Sequence, residues 1–313
     1  MKKTVIAFGE LLWDLLPDET ILGGAPFNFT YRIHDLGDTG VMVSRIGNDD
    51  LGRQAFARVE DLGLDTSCIQ WDNHKPTGTV KVSFDEDYNP DYVIIPDVAY
   101  DRVELTDKLL DVAENSDCFC YGTLAQRSPK SRDTLAALLE AATDTLKFLD
   151  INLRKECYTR ETVTFSMEKA DILKTNDEEA VKLCEMFDLP LNTLPKFCQT
   201  CIDTWSLEYC LVTFGANGAF VYAAAGEYLY EPGYDVALAD SLGAGDAFSA
   251  GFIHKFLRGS TLREACEFGN RLGALVATKN GATAPVSGRE LQRFAARDRP
   301  RNVQSDLEKY IQK

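Results

Sequence analysis

The chain has 313 residues, of which 45% are hydrophobic and 26% are charged, with 33 basic and 49 acidic side chains. This length and composition allow one large or two ordinary domains with a sizeable buried core, which excludes an intrinsically disordered protein. The formal net charge of −16 excludes broad binding of nucleic acid or anionic lipid, because an acidic surface repels both polyanions. A small anion remains compatible, since it requires only a local site.

The first apolar run does not have the pattern of a membrane segment or a secretory signal. Residues Thr4–Gly9 are mostly apolar, but Glu10 and Asp14 interrupt the run and no small-residue cleavage site follows. No window approaches 18 uninterrupted apolar residues. We therefore expect a cytoplasmic protein with no membrane contact.

The nine cysteines are spread from Cys68 to Cys266, in a chain long enough to fold without disulfides. Cys198 and Cys201 form one CxxC motif, with no second pair and no suitably spaced histidine. We interpret these two as packing residues of a helix. A redox or metal-binding role is the alternative.

Strand-like and helix-like patterns alternate along the chain. The runs typical of buried strands are Val5–Phe8, Gly40–Ile46, Asp117–Tyr121, Leu146–Asp150, Ala170–Lys174 and Tyr209–Phe214. The helical patterns are Pro26–Leu36, Leu51–Leu62, Pro129–Ala142, Asp177–Phe187, Leu194–Ser206 and Ala247–Leu257. This alternation predicts a doubly wound α/β fold with a mostly parallel sheet flanked by helices, in one domain spanning residues 1–313.

Two segments depart from this alternation. Residues 10–22 continue with a strand-like pattern, and residues 76–95 alternate polar and apolar side chains around a turn at residues 85–90. We expect these strands to form a small β-sheet that stands off the main sheet. Placed over the carboxyl edge of a parallel sheet, it would act as a lid over a ligand crevice.

The strongest chemical signal is the heptapeptide DSLGAGD at residues 240–246, which leads into the last helical pattern. Gly243 and Gly245 let successive backbone N–H groups point at one spot, and the helix N-terminus adds positive potential there. Asp246 lies in the first turn, where it serves either as a helix cap or as a general base beside a bound phosphate. The P-loop, dinucleotide-binding and protein-kinase motifs are absent.

Seven motifs in register resemble those of the ribokinase-like (PfkB) carbohydrate kinases, in the form typical of fructokinases. Six accompany the 240–246 heptapeptide: Gly23–Asn28 (GGAPFN), Gly47–Gly52 (GNDDLG), Leu149–Arg154 (LDINLR), Asn176–Glu179 (NDEE), Val212–Gly218 (VTFGANG) and Gly281–Ala282. The resemblance implies a ribokinase-like α/β fold that transfers phosphate from ATP to a sugar. It identifies Asp246 as the base that activates the sugar hydroxyl, and Gly243, Ala244 and Gly245 as the anion hole.

The resemblance also implies ligand-binding residues. The sugar would be bound by Asp14, Gly24, Asn28 and Arg154. ATP would be bound by Thr213, Gly215, Gly218, Asn270, Gly281 and Ala282. Mg²⁺ would accompany ATP, contacted through water by Asn176 and Glu179, and Asp240 would lie beside a monovalent cation such as K⁺. From the residues alone, Asn176 and Glu179 instead predict a helix capping box.

The sequence therefore predicts an ATP-dependent sugar kinase, with fructose to fructose 6-phosphate as the expected reaction. A kinase for 2-keto-3-deoxygluconate or another sugar is the alternative within this class, and a catalytically silent sugar sensor is the alternative outside it. We expect a homodimer formed through the lid strands and a solvated helix in the arginine-rich segment 289–313. With a net charge of −16, we expect the nucleotide to be held by backbone amides, a helix end and a metal instead of a lysine cluster.

Overall fold

The computed structural model describes residues 1–16, 19–84, 90–190, 192–297 and 299–311, with the backbone alone for 82–84 and 90–92. The strands are β1 (Thr4–Phe8), β2 (Leu12–Leu15), β3 (Thr20–Gly23), β4 (Thr39–Gly47), β5 (Ile69–Asp72), β6 (Gly78–Phe84), β7 (Pro90–Ile94), β8 (Cys118–Tyr121), β9 (Leu146–Asp150), β10 (Ile172–Asn176), β11 (Tyr209–Thr213), β12 (Gly218–Ala223), β13 (Tyr228–Tyr234) and β14 (Arg301–Asn302). The helices are α1 (Ala25–Asp35), α2 (Asp50–Asp61), α3 (Asp107–Glu114), α4 (Pro129–Ala141), α5 (Arg160–Lys169), α6 (Asp177–Phe187), α7 (Leu194–Trp205), α8 (Ala244–Phe256), α9 (Leu262–Ala277) and α10 (Gly288–Ala295).

The main sheet has the strand order β14-β13-β12-β11-β10-β9-β8-β1-β4-β5. The strands from β11 to β5 pair in parallel, whereas β12, β13 and β14 complete one edge in antiparallel pairing. The predicted α/β class is confirmed, and each of the six predicted strands lies within two residues of its observed bounds. The sequence reasoning missed β5, β12, β13, β14, α3, α5 and α9, of which β5, β14 and α3 are too short to show a clear period.

Alternate strand residues pack on opposite faces of this sheet. Phe8, Phe119 and Leu173 belong to the core on one face, and Phe148 and Phe252 belong to the core on the other. Strands that are apolar on both faces need helices on both faces. The carboxyl ends of the parallel strands therefore remain as the open edge at which polar side chains gather.

A second sheet has the strand order β3-β2-β6-β7, with β2 and β6 parallel and the outer pairs antiparallel. Its strands come from the two segments, 10–22 and 76–95, that were predicted to stand off the main sheet. Asp49, the N-cap of α2, accepts hydrogen bonds from the Thr77 backbone N–H at 2.8 Å and the Thr77 hydroxyl at 2.7 Å. This carboxylate anchors the small sheet to the main body. The predicted turn at 85–90 lies almost wholly outside the described residues.

The prediction of a solvated helix over residues 289–313 is confirmed as far as Ala295 and is wrong for the described residues beyond it. Helix α10 ends at Ala295, and Arg301 belongs to β14, where its guanidinium lies over the Tyr234 ring and pairs with Glu231. Pro300 disfavours helical backbone at the residue before it. The stacking and pairing of Arg301 then hold the segment against the sheet edge.

The CxxC cysteines are packing residues, as the sequence analysis interpreted them. Cys198 and Cys201 lie on α7 and are fully buried, in contact with Cys210 of β11. The neighbouring Cys210 thiol and burial raise the pKa of Cys201 well above its usual value, which keeps the thiol protonated. Among the described residues, no group of three or more His, Cys, Asp or Glu side chains is placed to hold a metal ion. No helix in the described part of the chain is long and apolar enough to cross a membrane.

A buried carboxylate joins the N-terminus to α8. Asp38 accepts hydrogen bonds from Lys3 N at 2.9 Å and from Arg258 Nη2 at 2.6 Å, and its other oxygen lies 2.7 Å from His254 Nδ1. Burial acts to raise the pKa of Asp38, but these hydrogen bonds outweigh it and hold the pKa below its usual value.

Asp38→Asn is therefore expected to destabilise the protein by about 3–5 kcal/mol, because Arg258 loses its buried partner. Thermal unfolding at pH 7 measures the loss. The stability advantage of the wild type over Asp38→Asn is expected to vanish as the pH falls through the Asp38 pKa. Asp50→Asn, at an exposed ion pair with Arg53, is the matched control and is expected to change stability by less than about 1 kcal/mol. An equal loss of stability in both variants would contradict the stabilising role of the buried Asp38 carboxylate.

Candidate active site

Acidic side chains and helix N-termini meet at the carboxyl edge of the main sheet. Asp150 ends β9, and Glu10 follows β1 by two residues. These two residues, Pro26 of α1, Asn152 and Asp246 of α8 line one cleft. Four separate parts of the chain thus converge there, as expected for a ligand crevice in an α/β sheet.

Asp246 is held by a residue of another helix. Asn28, one turn into α1, donates a hydrogen bond from Nδ2 to Asp246 Oδ2 at 2.8 Å. The Asn28 side chain is buried, and its Oδ1 has no hydrogen-bond partner within the described part of the chain. A buried acceptor without a donor is costly in a folded protein. The orphaned oxygen therefore indicates where a ligand hydroxyl would donate.

The pKa of Asp246 is raised to about 6, chiefly by burial and then by the Asp150 carboxylate. The hydrogen bond from Asn28 and the charges of Lys174 and Arg154 oppose this rise. A carboxylate tuned toward neutral pH is suited to accept a proton from a hydroxyl group. The place of Asp246 in the first turn of α8 and its raised pKa are both compatible with general-base chemistry.

The glycine-rich turn before α8 is shaped by close packing. Gly243 caps the helix with φ of 74°, and a Cβ atom placed there would lie 2.9 Å from the Ala282 Cα. Any other residue would therefore displace the turn from the 281–282 loop. The Gly243, Ala244 and Gly245 amides lie at the start of α8, and the first N–H groups of a helix bind anions well because they lack intrahelical partners. Ala244 N, however, already donates to the Ser241 carbonyl at 3.2 Å, so Gly243 and Gly245 are the better candidates for an anion hole.

A buried lysine lies beside this turn, and the sequence reasoning did not find it. Lys174 of β10 is 7% exposed, and its Nζ lies 3.7 Å from where a Gly245 Cβ would be. Nζ donates to Asp150 Oδ1 at 2.9 Å, and Ser249 donates to the other Asp150 oxygen at 2.8 Å. Burial acts to lower the pKa of Lys174, but the carboxylates of Asp150, Glu179 and Asp246 raise it above its usual value. The predicted anion hole therefore has one buried lysine beside its backbone amides, in addition to the groups that the sequence analysis expected.

Glu10 is a second residue that the sequence reasoning missed, although it directly follows the glycine at the end of the first strand. It is 4% exposed, and its Oε1 accepts a hydrogen bond from Ala25 N at 3.2 Å, at the start of α1. Burial raises its pKa to about 7. Gly24, with φ of 111°, packs against the Glu10 carbonyl with no room for a Cβ atom. Glu10 thereby fixes the turn that carries Asn28 into the site.

Asp14 and Arg154 lie at the small-sheet side of the cleft. The pKa of Asp14 is raised to about 6 by burial, and the charge of Arg154 opposes the rise. The charge of Arg154 also opposes the rise in the pKa of Glu10 and of Asp246, so this charge lies close to all three acids. The Arg154 side chain is exposed and makes no hydrogen bond or ion pair with the residues that the structure describes.

The residues predicted to bind ATP divide into two groups. Gly215 and Gly281 face open space, with no atom within 4 Å of an added Cβ, and Thr213 lies at the carboxyl end of β11. In contrast, Asn270 is buried and donates to the carbonyls of Glu231 and Pro232, and Gly218 packs against the Glu231 carbonyl. The interactions of Asn270 and Gly218 shape the β12–β13 hairpin.

The residues predicted to contact Mg²⁺ form a capping box at the start of α6. Asn176 Oδ1 accepts from Glu179 N at 2.8 Å, while the two Glu179 oxygens accept from Asn176 N and Leu153 N, each at 2.9 Å. This is the capping alternative of the sequence analysis. Because every one of these oxygens already accepts a backbone N–H, the pair is suited to contact a metal only through water.

A family model described as "pfkB family carbohydrate kinase" matches residues 18–288. Fructokinase-1 of Zea mays is 24% identical over 320 residues, covering 93% of this chain and 97% of the relative. A solved structure of a sugar kinase from Pyrococcus horikoshii in complex with ATP is 26% identical, with a TM-score of 0.79 and coverage of 92% and 97%. A fructokinase double mutant from Vibrio cholerae, bound to fructose, ADP and a potassium ion, is 23% identical, with a TM-score of 0.79 and coverage of 93% and 98%. With most of its length matched by the family model, this chain belongs to the pfkB family of carbohydrate kinases.

Proposed function

We propose that this chain transfers the γ-phosphoryl group of ATP to a hydroxyl of a small sugar, with D-fructose as substrate and fructose 6-phosphate as product. The observation that carries the proposal is the pair formed by Asp246 and Asn28. The Asp246 carboxylate, whose pKa is raised, lies at the start of α8. Beside it lies the buried Asn28 Oδ1, which has no hydrogen-bond partner among the described residues. A sugar offers an O–H donor to each of these oxygens.

In the proposed reaction, the attacking sugar hydroxyl donates its proton to the Asp246 carboxylate. Asn28 holds that carboxylate in place through its Nδ2 and accepts a second sugar hydroxyl on Oδ1. The sugar oxygen forms a bond to the γ-phosphorus, the bond to the β,γ-bridging oxygen breaks, and ADP leaves with that electron pair. Phosphoryl transfer of this kind depends mostly on positioning and charge stabilisation.

In this proposal the negative charge of the transferring group lies between Lys174 and the amides of Gly243 and Gly245, and Ala244 N would have to leave the Ser241 carbonyl to contribute. Lys174 is pre-oriented by Asp150, so little reorganisation is needed when charge develops. Mg²⁺ bound to the ATP phosphates would neutralise part of their charge, with Asn176 and Glu179 contacting its waters. Thr213, Gly215, Gly281 and Ala282 would border the adenosine.

The sugar would lie between Asp14, the Gly24 turn and Arg154, covered by the small sheet as a lid. One observation favours a second substrate class: Arg154 has no ion-pair partner among the described residues, and a sugar acid would supply a carboxylate. 2-Keto-3-deoxygluconate is therefore the second candidate. Bidentate arginine–carboxylate pairing would distinguish it from a neutral ketose.

A coupled assay of ADP release with a panel of sugars tests both candidates. The panel includes fructose, 2-keto-3-deoxygluconate, ribose and glucose, each compared by kcat/KM. We expect the largest value with fructose. A larger value with the sugar acid, lost in Arg154→Met but not in Lys130→Met, would select the second candidate. No ADP release with any sugar, together with measurable sugar binding, would identify a silent sensor.

The pH profile of kcat/KM is expected to have an acid limb at about pH 6. Because the raised pKa of Asp246 lies near 6, the base is increasingly protonated below that pH, and the rate falls up to tenfold per pH unit. Steady-state assays between pH 5 and pH 8 measure the limb. Activity that stays constant down to pH 5 would contradict Asp246 as the base.

We further propose a cytoplasmic homodimer assembled through the small sheet. The outer strands β3 and β7 each have one edge without a partner strand in the described part of the chain. Light scattering tests the dimer, and a charge introduced at exposed Val93 of β7 is expected to weaken it.

A further inference from the structure

A buried arginine joins the sugar side of the cleft to the nucleotide side. Arg32 lies on α1, four residues after Asn28 and therefore on the same face of the helix. Its side chain is fully buried, and Nη2 donates to the Ala282 carbonyl. Nη1 lies 3.4 Å from Asp35 Oδ2, and Nε has no hydrogen-bond partner among the described residues.

The 281–286 loop is held from three directions. Gly281 N donates to Asp240 Oδ2 at 3.0 Å, the Ala282 carbonyl accepts from Arg32, and Val286 N donates to Asp35 Oδ2 at 3.2 Å. Ala282 in turn packs against Gly243, where a Cβ atom could not fit. The position of this loop therefore sets the position of the anion-hole amides.

The oxygen atoms that would coordinate a monovalent cation at this loop already have hydrogen-bond partners. Such an ion would need Asp240 and neighbouring carbonyl oxygens as ligands, yet both Asp240 oxygens accept backbone N–H groups, at 2.9 Å from Leu242 and 3.0 Å from Gly281. The Ala282 carbonyl is taken by a guanidinium. Burial lowers the pKa of Arg32, and the Asp35 and Asp246 carboxylates act against this. An arginine side chain keeps its charge in proteins, so a permanent positive charge already stands at the loop.

We propose that the Arg32 guanidinium is a built-in substitute for a monovalent cation: it holds the Gly281–Ala282 loop against Gly243, so that the enzyme works without potassium. The inference rests on the proposed kinase function. Arg32 acts through the loop and is a positioning residue. It also connects the helix that carries Asn28 with the loop that borders the nucleotide.

The first test compares wild-type kinase activity in potassium-free and potassium-containing buffer, with tetramethylammonium chloride keeping the ionic strength constant. We expect activation of less than about twofold, below the roughly fivefold that marks a substantial coupling between sites. Activation of about tenfold or more would overturn the inference while leaving the kinase assignment intact. Absence of any sugar-dependent ADP release in either buffer would instead reject the proposed function.

The second test uses Arg32→Met, which keeps the volume and removes the charge, with Arg289→Met at an exposed position of α10 as the control. In potassium-free buffer we expect Arg32→Met to lose at least about tenfold in kcat/KM for ATP and in ATP affinity by calorimetry. Potassium is expected to restore part of both losses, because the freed Ala282 carbonyl can then bind the ion. Arg32→Lys keeps a cation and is expected to stay insensitive to potassium.

Thermal unfolding separates these effects from a folding defect. Unchanged kcat/KM and ATP affinity in Arg32→Met would overturn the proposal. Losses that potassium does not relieve would also overturn it, since they would leave Arg32 with a packing role alone. If Arg32→Met does not fold, the wild-type comparison and Arg32→Lys still decide the outcome.

Discussion

Asp246→Asn is expected to lower kcat for sugar phosphorylation by about a thousandfold, within the range observed for loss of a general base. The variant keeps an oxygen that can accept the Asn28 hydrogen bond, so the geometry of the site is preserved. Sugar and ATP affinities are therefore expected to change little. Rapid-quench or coupled assays give kcat, and calorimetry gives the two affinities.

The stability of this variant gives an independent check. Since folding raises the Asp246 pKa from 3.8 to about 6, the wild type loses stability as the pH rises through that range. Asp246→Asn removes the charge and is expected to melt at a higher temperature than the wild type at pH 8. Asp107→Asn, in the exposed first turn of α3, is the matched control and should leave both activity and melting unchanged. Wild-type kcat in Asp246→Asn would refute the assigned base.

Lys174→Met is expected to lower kcat/KM for ATP by about a hundredfold, corresponding to roughly 3 kcal/mol of lost charge stabilisation. Its ammonium is buried beside Gly245, where solvent screens it poorly. Because Lys174 also lowers the pKa of Asp246, its removal is expected to move the acid limb of the pH profile to higher pH. Steady-state kinetics over pH measures both effects.

The control variants separate chemistry from folding. Lys174→Met leaves the largely buried Asp150 carboxylate beside Asp246, with Ser249 as its one remaining hydrogen-bond partner among the described residues, and is therefore expected to destabilise the protein. The double variant Lys174→Met/Asp150→Asn removes that uncompensated charge. It is expected to regain stability but not kcat/KM. Lys196→Met, on the exposed face of α7, is expected to behave as wild type. An unshifted acid limb with full kcat/KM in Lys174→Met would exclude its role.

The net charge of −16 excluded a broad polyanion surface but gave an incomplete view of the site. Backbone amides and a helix start are present, as predicted. Lys174 and Arg154 also place positive charge close to Asp246. The fold therefore places two cationic side chains at the site of an otherwise acidic protein. The net charge of the chain does not reveal this placement.

Some motif residues have a structural role that the spacing of the motif does not reveal. Asn176 and Glu179 cap a helix, and Glu179 also holds Leu153 N next to Arg154. Asn270 fixes a hairpin through two carbonyls. In each case the residue type and spacing match more than one role, and only the hydrogen-bond partners distinguish between these roles.

The sequence by itself determined the α/β class, the small second sheet and the glycine-rich turn and helix start at residues 240–246, where we propose the anion site. These depend on short-range properties: the period of apolar residues, the turn preference of glycine and the start of a helix. Lys174, Glu10 and Arg32 had no such signal, because a charged residue within an apolar strand or helix looks like an interruption. Only the tertiary structure decided their partners. Lys174 donates to Asp150, Glu10 accepts from the start of α1, and Arg32 donates to the Ala282 carbonyl. Pairing across more than a hundred residues of chain, as between Asn28 and Asp246, depends on how the whole sheet is wound.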